Sequence, residues 1–169
     1  MILSGKIAEL TGAKIISFHS EIQLQYLLLD SRKINAPALS LFFAIKGIRH
    51  DGHQFIPSLY QKGVRCFIIE SGGEINYSNF PEANFWEVPK SIVALQQIVT
   101  EHRKKFTIPV IGITGSNGKT IIKEWLSQLL HKSFSIVKNP KSYNSQTGVP
   151  LSVWEMNEQH TLGIFEAGI

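Results

Sequence analysis

The stretch Val110-Ile-Gly-Ile-Thr-Gly-Ser-Asn-Gly-Lys-Thr120 decides the fold. It opens with a β-prone apolar run, turns at Gly115 and Gly118, and passes into a helical pattern at Lys119-Thr120. A strand that runs through a glycine-bearing turn into a helix reads as the opening of a nucleotide-binding α/β sheet, the alternative being an incidental turn. Each residue type has a task in such a turn. Glycines let backbone N–H groups curl around phosphate oxygens with no Cβ in the way, and the helix N-terminus adds partial positive charge. Lys119 is expected to neutralise the β and γ phosphates of a nucleotide, and the Thr120 hydroxyl to serve as a Mg²⁺ ligand. The general template G-x-x-x-x-G-K-[ST] places its first glycine at position 113, where this chain has Ile113.

Downstream, the pattern predicts a helix over 120–131, a strand over 133–138, a polar loop over 139–148 and a short helix over 149–156 entered through Pro150. A third strand, 161–165, ends on Glu166. A carboxylate at the tip of a strand beside a phosphate loop is placed to be a second Mg²⁺ ligand, although a strand-ending acid is also commonly just solvated. Upstream, strands are expected at 14–18, 25–29, 39–45, 64–70 and 84–88, the segment 110–114 being a further, buried strand. Ser4 is read as the cap of a short helix ended by Gly12, Asp51 as the cap of a helix stopped by Gly63, and Ser91 as the start of an amphipathic helix. In that last helix Ile92, Leu95, Ile98 and Val99 make the apolar stripe. His102, Arg103, Lys104 and Lys105 crowd its final turn, where cations complement the helix dipole. The three tryptophans, Trp86, Trp125 and Trp154, lie in apolar patterns and are assigned to the core.

The chain therefore reads as α/β: one domain over residues 1–107, then the beginning of a second over 108–169, whose three strands are fewer than a doubly wound sheet normally has. Composition agrees, with 169 residues, 43% hydrophobic and 18% charged. A single cysteine rules out an intramolecular disulfide framework and a cysteine zinc cluster, so Cys66 reads as a buried small hydrophobe. None of the six histidines pairs with carboxylates at metal-ligand spacing. The formal charge of +4 is dispersed, twelve basic and nine acidic residues preceding Pro109 and five and four following it. Nucleic-acid binding needs a denser basic stripe, so no nucleic-acid partner is expected. No run approaches the ~18 apolar residues of a membrane span, and the first residues lack a signal peptide's apolar core, so neither membrane insertion nor secretion is expected and the location is read as cytoplasmic.

The loop Thr114-Gly-Ser-Asn-Gly-Lys-Thr120 resembles the phosphate loop of Mur ligases, ATP-dependent enzymes that add amino acids to the peptidoglycan precursor and whose loop also lacks the first glycine. Asp30-Ser-Arg32, Leu41-Phe-Phe-Ala-Ile-Lys-Gly47 and Asp51-Gly-His53 resemble the UDP-binding N-terminal domain shared by two branches of that family. Ser142-Tyr-Asn-Ser-Gln-Thr-Gly-Val-Pro-Leu151 resembles the loop and helix by which one branch contacts its muramoyl-peptide substrate near the γ-phosphate. Phe165-Glu-Ala-Gly168 resembles the family's Glu-x-Gly segment, whose glutamate holds Mg²⁺. The wording also resembles versions fused to a C-terminal alanine racemase.

The resemblance implies a UDP-precursor-binding domain over 1–107 and the start of a central ATP-binding P-loop domain over 108–169, incomplete at Ile169. It implies ATP and Mg²⁺ as cofactors, and UDP-N-acetylmuramoyl-tripeptide and D-alanyl-D-alanine as substrates, joined through an acyl phosphate. The residues it assigns are Thr114, Gly115, Ser116, Asn117, Gly118, Lys119 and Thr120 to ATP, with Lys119 and Glu166 catalytic and Thr120 and Glu166 on the metal. Ser31, Arg32, Lys46, His53, Asn144 and Ser145 fall to the precursor. Taken alone, Arg32 and Lys46 suit a diphosphate or a solvated surface, His53 a contact or a turn, and Asn144 and Ser145 a substrate loop or the lead into a helix. By itself the chain is expected to bind the precursor without ligating it. The other readings are a different P-loop enzyme, such as a MurE-like or folylpolyglutamate synthetase-like ligase or a kinase, and a non-catalytic nucleotide-sugar binding module. More than a hundred residues precede the loop, which argues against the synthetase.

Overall fold

The parallel strands follow the apolar runs, and their carboxyl ends carry the polar motifs. The structure, a computed structural model, describes residues 1–47, 50–72 and 75–168, and the chain divides into two compact units, Met1–Ile98 and Val99–Ile169. The first unit contains β1 (Ile2–Leu3), α1 (Ile7–Thr11), β2 (Lys14–Ser17), β3 (Gln23–Leu24), β4 (Tyr26–Leu28), β5 (Ser40–Phe43), α2 (Ile56–Gln61), β6 (Cys66–Glu70) and β7 (Asn84–Val88). Its main sheet has the order β2-β7-β6-β5-β4, with β4 to β7 parallel and β2 antiparallel along the β7 edge. Every residue of β5 and β6 is buried, as expected for strands covered on both faces. Phe67 stacks on Phe85 with centroids 5.1 Å apart, and Leu28, Phe42, Ile56 and Leu59 complete that side of the core. The helix α3 (Ser91–Lys104) runs across the division between the units.

Two N-terminal expectations change. Ser4 does not cap α1: it is fully buried, its hydroxyl donates to Glu21 Oε1 at 2.9 Å, and it accepts the Ile22 N–H at 2.9 Å. A 3₁₀ turn, Ser4–Lys6, precedes α1 instead, and β1 pairs antiparallel with β3. Strands of two residues carry no periodicity to be read, which is why that pairing was not expected. Gly12 does end α1, in the left-handed conformation at φ 65°.

The second unit holds β8 (Val110–Ile113), α4 (Lys119–Leu130), β9 (Ile136–Lys138), α5 (Gly148–Trp154) and β10 (Leu162–Glu166). The strands are parallel in the order β8-β10-β9. The last strand is therefore the central one, and β8 lies on one side of it with only Ile113 buried, not wholly buried as expected. On α4, Leu126 and Leu130 pack against Ile113, Leu162 and Ile164. Trp125 is not core: it is 64% exposed on the opposite face, alongside Ile121, Ile122 and Leu129. A helix apolar on both sides gives no sequence signal of which side is covered. His102 likewise departs from a solvated last turn. It is buried, its ring 4.5 Å from that of Trp154 and its Nε2 2.9 Å from the Met156 carbonyl, and burial pushes its pKa below the usual histidine value.

Candidate functional site

The phosphate loop is shaped by its two glycines. Gly115 at φ 141° and Gly118 at φ 78° hold backbone conformations that side chains disfavour, and α4 starts directly at Lys119. A Cβ on Gly115 would meet nothing nearer than 4.0 Å, so the glycine serves conformation rather than packing. Thr114, Ser116 and Asn117 are exposed along the loop, and Thr120 lies half-buried on the first turn of α4. The Lys119 ammonium folds back and donates to the Gly115 carbonyl.

The tip of β10 stands at the root of this loop. Glu166 is in register with Ile113, and the Ala167 N–H donates to the Ile113 carbonyl at 2.9 Å. The Glu166 side chain is fully buried, and neither carboxylate oxygen has a hydrogen-bond partner among the described residues. Its nearest cation is Lys123, also fully buried, with Nζ 3.6 Å from Glu166 Oε2. Lys123 was not among the residues expected at the site, and neither was Asn139. The signal for Lys123 was present: it recurs with Leu126 and Leu130 at helical spacing on the inward side of α4, a place where an unpaired charge is costly.

Asn139 joins β10 to the loop after β9. Its Oδ1 accepts the Glu166 N–H at 2.7 Å, while its amide donates to the carbonyls of Tyr143 at 2.7 Å and Glu166 at 3.2 Å. Further along, the Gly168 N–H donates to the Asn144 carbonyl at 2.7 Å, and a Cβ on Gly168 would stand 3.0 Å from that oxygen. Ser145 Oγ accepts the Gly148 N–H, the first amide of α5, at 3.0 Å. Gly148 is required by contact, since a Cβ there would meet the Tyr143 backbone at 2.9 Å.

The first unit brings its motif residues to the carboxyl edge of its sheet. Ser31 and Arg32 follow β4, and Lys46 follows β5. Arg32 is 85% exposed and grips Asp30 with two bonds of 2.8 Å, which hold the Asp30 carboxyl down to about 2. The backbones of Lys46 and Asp51 form an isolated antiparallel β-bridge, and a Cβ on Gly52 would meet the Ile45 nitrogen at 2.8 Å. Both ring nitrogens of His53 are engaged. Nδ1 contacts Asp51 Oδ1 at 2.5 Å, and Nε2 accepts the Glu70 N–H at 3.1 Å, a pairing that requires the proton on Nδ1. Glu70 is buried and caps α3 by accepting the Ser91 N–H at 2.9 Å. A pocket of about 480 Å³ opens beside Asp51 and His53, lined also by Gln54, Ile75, Asn76 and Phe80. Burial raises the Cys66 thiol to about 12, so it is unreactive. No group of three or more histidine, cysteine or acidic side chains able to hold a metal occurs among the described residues.

The sequence pattern described as "Mur ligase family, catalytic domain" matches residues 23–132, and "Mur ligase middle domain" matches 113–169. The chain belongs to the Mur ligase family. Among curated relatives of this Mur ligase chain, the UDP-N-acetylmuramoyl-tripeptide–D-alanyl-D-alanine ligase of Borreliella burgdorferi is 32% identical, the match covering 100% of the chain and 37% of the relative. Among solved structures, MurF from Acinetobacter baumannii matches with a TM-score of 0.83 at 26% identity, over 98% of this chain and 35% of that one. MurF from Thermotoga maritima in complex with ADP matches with a TM-score of 0.73 at 29% identity, over 86% and 32%. The Mur ligase chain thus spans about a third of the length of the relatives it matches.

Proposed function

We propose that the chain is the precursor-binding and phosphate-loop part of a cytoplasmic ATP-dependent ligase that joins D-alanyl-D-alanine to UDP-N-acetylmuramoyl-tripeptide. The observation that carries this reading is Glu166: a buried carboxylate with no hydrogen-bond donor, in register with the residue that opens a two-glycine phosphate loop. Orphaned acceptors of this kind are rare in a folded protein and suit a ligand that arrives with positive charge. The naming of the Borreliella relative and the ADP bound to the Thermotoga structure support the same reading. No helix among the described residues is long and apolar enough to cross a membrane.

In this reading residues 1–107 hold the UDP end of the precursor, with Ser31, Arg32 and Lys46 at the diphosphate and His53 shaping the turn. Residues 108–169 begin the ATP-binding domain. The loop from Thr114 to Gly118 wraps the nucleotide phosphates with backbone N–H groups, and Lys119 leaves the Gly115 carbonyl to neutralise the β and γ oxygens. Thr120 and Glu166 fit a Mg²⁺ ion, one presenting a hydroxyl on the first turn of α4 and the other an unpartnered carboxylate. That ion, when bound, offsets phosphate charge as the γ-phosphoryl group moves to the tripeptide carboxylate. Asn144 and Ser145 present the acceptor side, where the D-alanyl-D-alanine amine displaces phosphate from the acyl phosphate. Phosphoryl transfer of this kind depends chiefly on position and charge neutralisation.

The test is calorimetric titration of ATP with Mg²⁺ into the chain and into its Lys119→Ala variant. A charge-assisted hydrogen bond contributes about 1.5–3 kcal/mol, so the variant should bind roughly 10- to 150-fold more weakly. Equal affinity in the two proteins would sink the assignment.

A further inference from the structure

Lys123 is the most buried cation in the second unit, and nothing in the proposed phosphate chemistry accounts for it. It has no solvent exposure, and its ammonium donates to the carbonyls of Asn139, at 2.9 Å, and Lys141 while facing Glu166 Oε2 at 3.6 Å and Glu124 Oε1 at 3.6 Å. Three pieces of chain meet at this one atom: the helix that follows the phosphate loop, the tip of β10, and the loop that carries Asn144 and Ser145. Lys141 is the one non-glycine residue with a left-handed φ, 50°, among the described residues, and its carbonyl is among those turned onto Lys123. Such a conformation persists where surrounding contacts over-determine it, and it clusters at functional sites. Asn139 closes the arrangement from the other side by bonding both backbone groups of Glu166.

We infer that Lys123 is a positioning residue. It acts through Glu166 and through the 139–148 loop, and it touches neither nucleotide nor precursor. Its ammonium attracts the Glu166 carboxylate without a hydrogen bond, which leaves both buried oxygens directed by charge alone and with lone pairs free for a cation. The same ammonium clamps the strained start of the loop, so the metal side and the acceptor side are set by one side chain. This inference rests on the proposed function for the identity of the ligand, and on geometry alone for the clamp.

The test uses the 169-residue chain with Lys123→Met, which removes the charge at similar length, and Lys123→Arg, which keeps it. Two readouts are taken: backbone amide shifts of Asn144, Ser145 and Gly168 without ligand, and ADP affinity with and without Mg²⁺. The methionine variant should move or broaden all three amides and lose about tenfold of the affinity gained from Mg²⁺, while Mg²⁺-free ADP binding stays within twofold. The arginine variant should recover at least half of both effects, which a general loss of packing would not predict. Unchanged loop amides, or a Mg²⁺ effect within twofold of the parent, would overturn the inference. If Lys123→Met does not fold, Lys123→Met/Glu166→Gln, which leaves no uncompensated charge, is compared with Glu166→Gln alone by the same amides. Shifted amides support the clamp and identical amides overturn it. A parent chain that binds no ADP would instead defeat the proposed function, leaving the ligand-free amide result to decide the clamp.

Discussion

The two units place charge at the carboxyl ends of parallel strands in opposite ways. In the first, Arg32 stands in solvent with Asp30 as its partner, and the sheet beneath is sealed by aromatic packing around Phe67 and Phe85. In the second, Lys123 and Glu166 are both withdrawn from water, while one face of α4 leaves Trp125 and Leu129 64% and 76% exposed. The first unit thus derives stability from apolar burial and leaves its edge charge in solvent. The second spends stability on fixing a charge in place, because desolvating an ion pair costs about as much as its attraction returns. Such a pair gives direction, not strength.

The largest effects should come from the buried groups. Phe67→Ala, in the sealed sheet, is expected to cost about 3–5 kcal/mol of unfolding free energy, measured by urea titration. Lys123→Met should cost a similar ~3–5 kcal/mol, but for a different reason: it strands a buried carboxylate. The two are told apart by the partner substitution. Adding Glu166→Gln to Lys123→Met should return most of the loss, whereas no single polar change rescues Phe67→Ala. If the double variant is as unstable as Lys123→Met, the pair is not the origin of the cost. By contrast Leu129→Ala, on the exposed face of the same helix, should stay within about 0.5 kcal/mol of the parent.

The same contrast explains what could be read from the sequence. Strands β5 and β6 announce themselves as short apolar runs, so the α/β class of the first unit was legible, while the parallel order of its strands was not read. The strand, turn and helix of residues 110–130 were legible because Gly115 and Gly118 mark the turn between two apolar patterns. Glu166 was legible as a strand-ending acid, but its burial was not, since that depends on β10 taking the central place in the order β8-β10-β9. Lys123 and Asn139 were missed because the contacts that define them, Lys123 to the Asn139 carbonyl and Asn139 to Glu166, span 16 and 27 residues of sequence, beyond any local period. His53 was legible as a turn residue, while its bond to the Glu70 N–H required β6 to lie beside that turn.

A medium effect should separate the units by pH. His102 in the second unit has its pKa pushed below the ordinary 6.5 by burial, so the unfolded chain takes up a proton more readily than the folded one. Stability should therefore be flat above pH 6.5 and fall as the pH drops through 6.5 toward the folded-state value. His102→Leu should flatten that slope in urea midpoints taken between pH 7.5 and 5. A slope that survives the substitution would place the proton uptake elsewhere.

The smallest stability effect is expected at Arg32, and there the comparison is sharpest. The Asp30 carboxyl is held at about 2 by the guanidinium, below the ordinary 3.8, so the pair's contribution is present above pH 4 and disappears as the pH falls toward 2. Because Arg32 is 85% exposed, solvent screens the pair, and Arg32→Ala should change stability by no more than about 0–1 kcal/mol at pH 7, less at high salt. Its affinity for a UDP-linked precursor should nonetheless fall about tenfold, since a guanidinium matches a diphosphate with paired donors. A surface charge that matters little to folding and much to binding is what an exposed ligand edge requires. If Arg32→Ala destabilised the chain by several kcal/mol yet left precursor binding unchanged, the first unit would be using its edge charge as the second uses Lys123, and the contrast between them would fail.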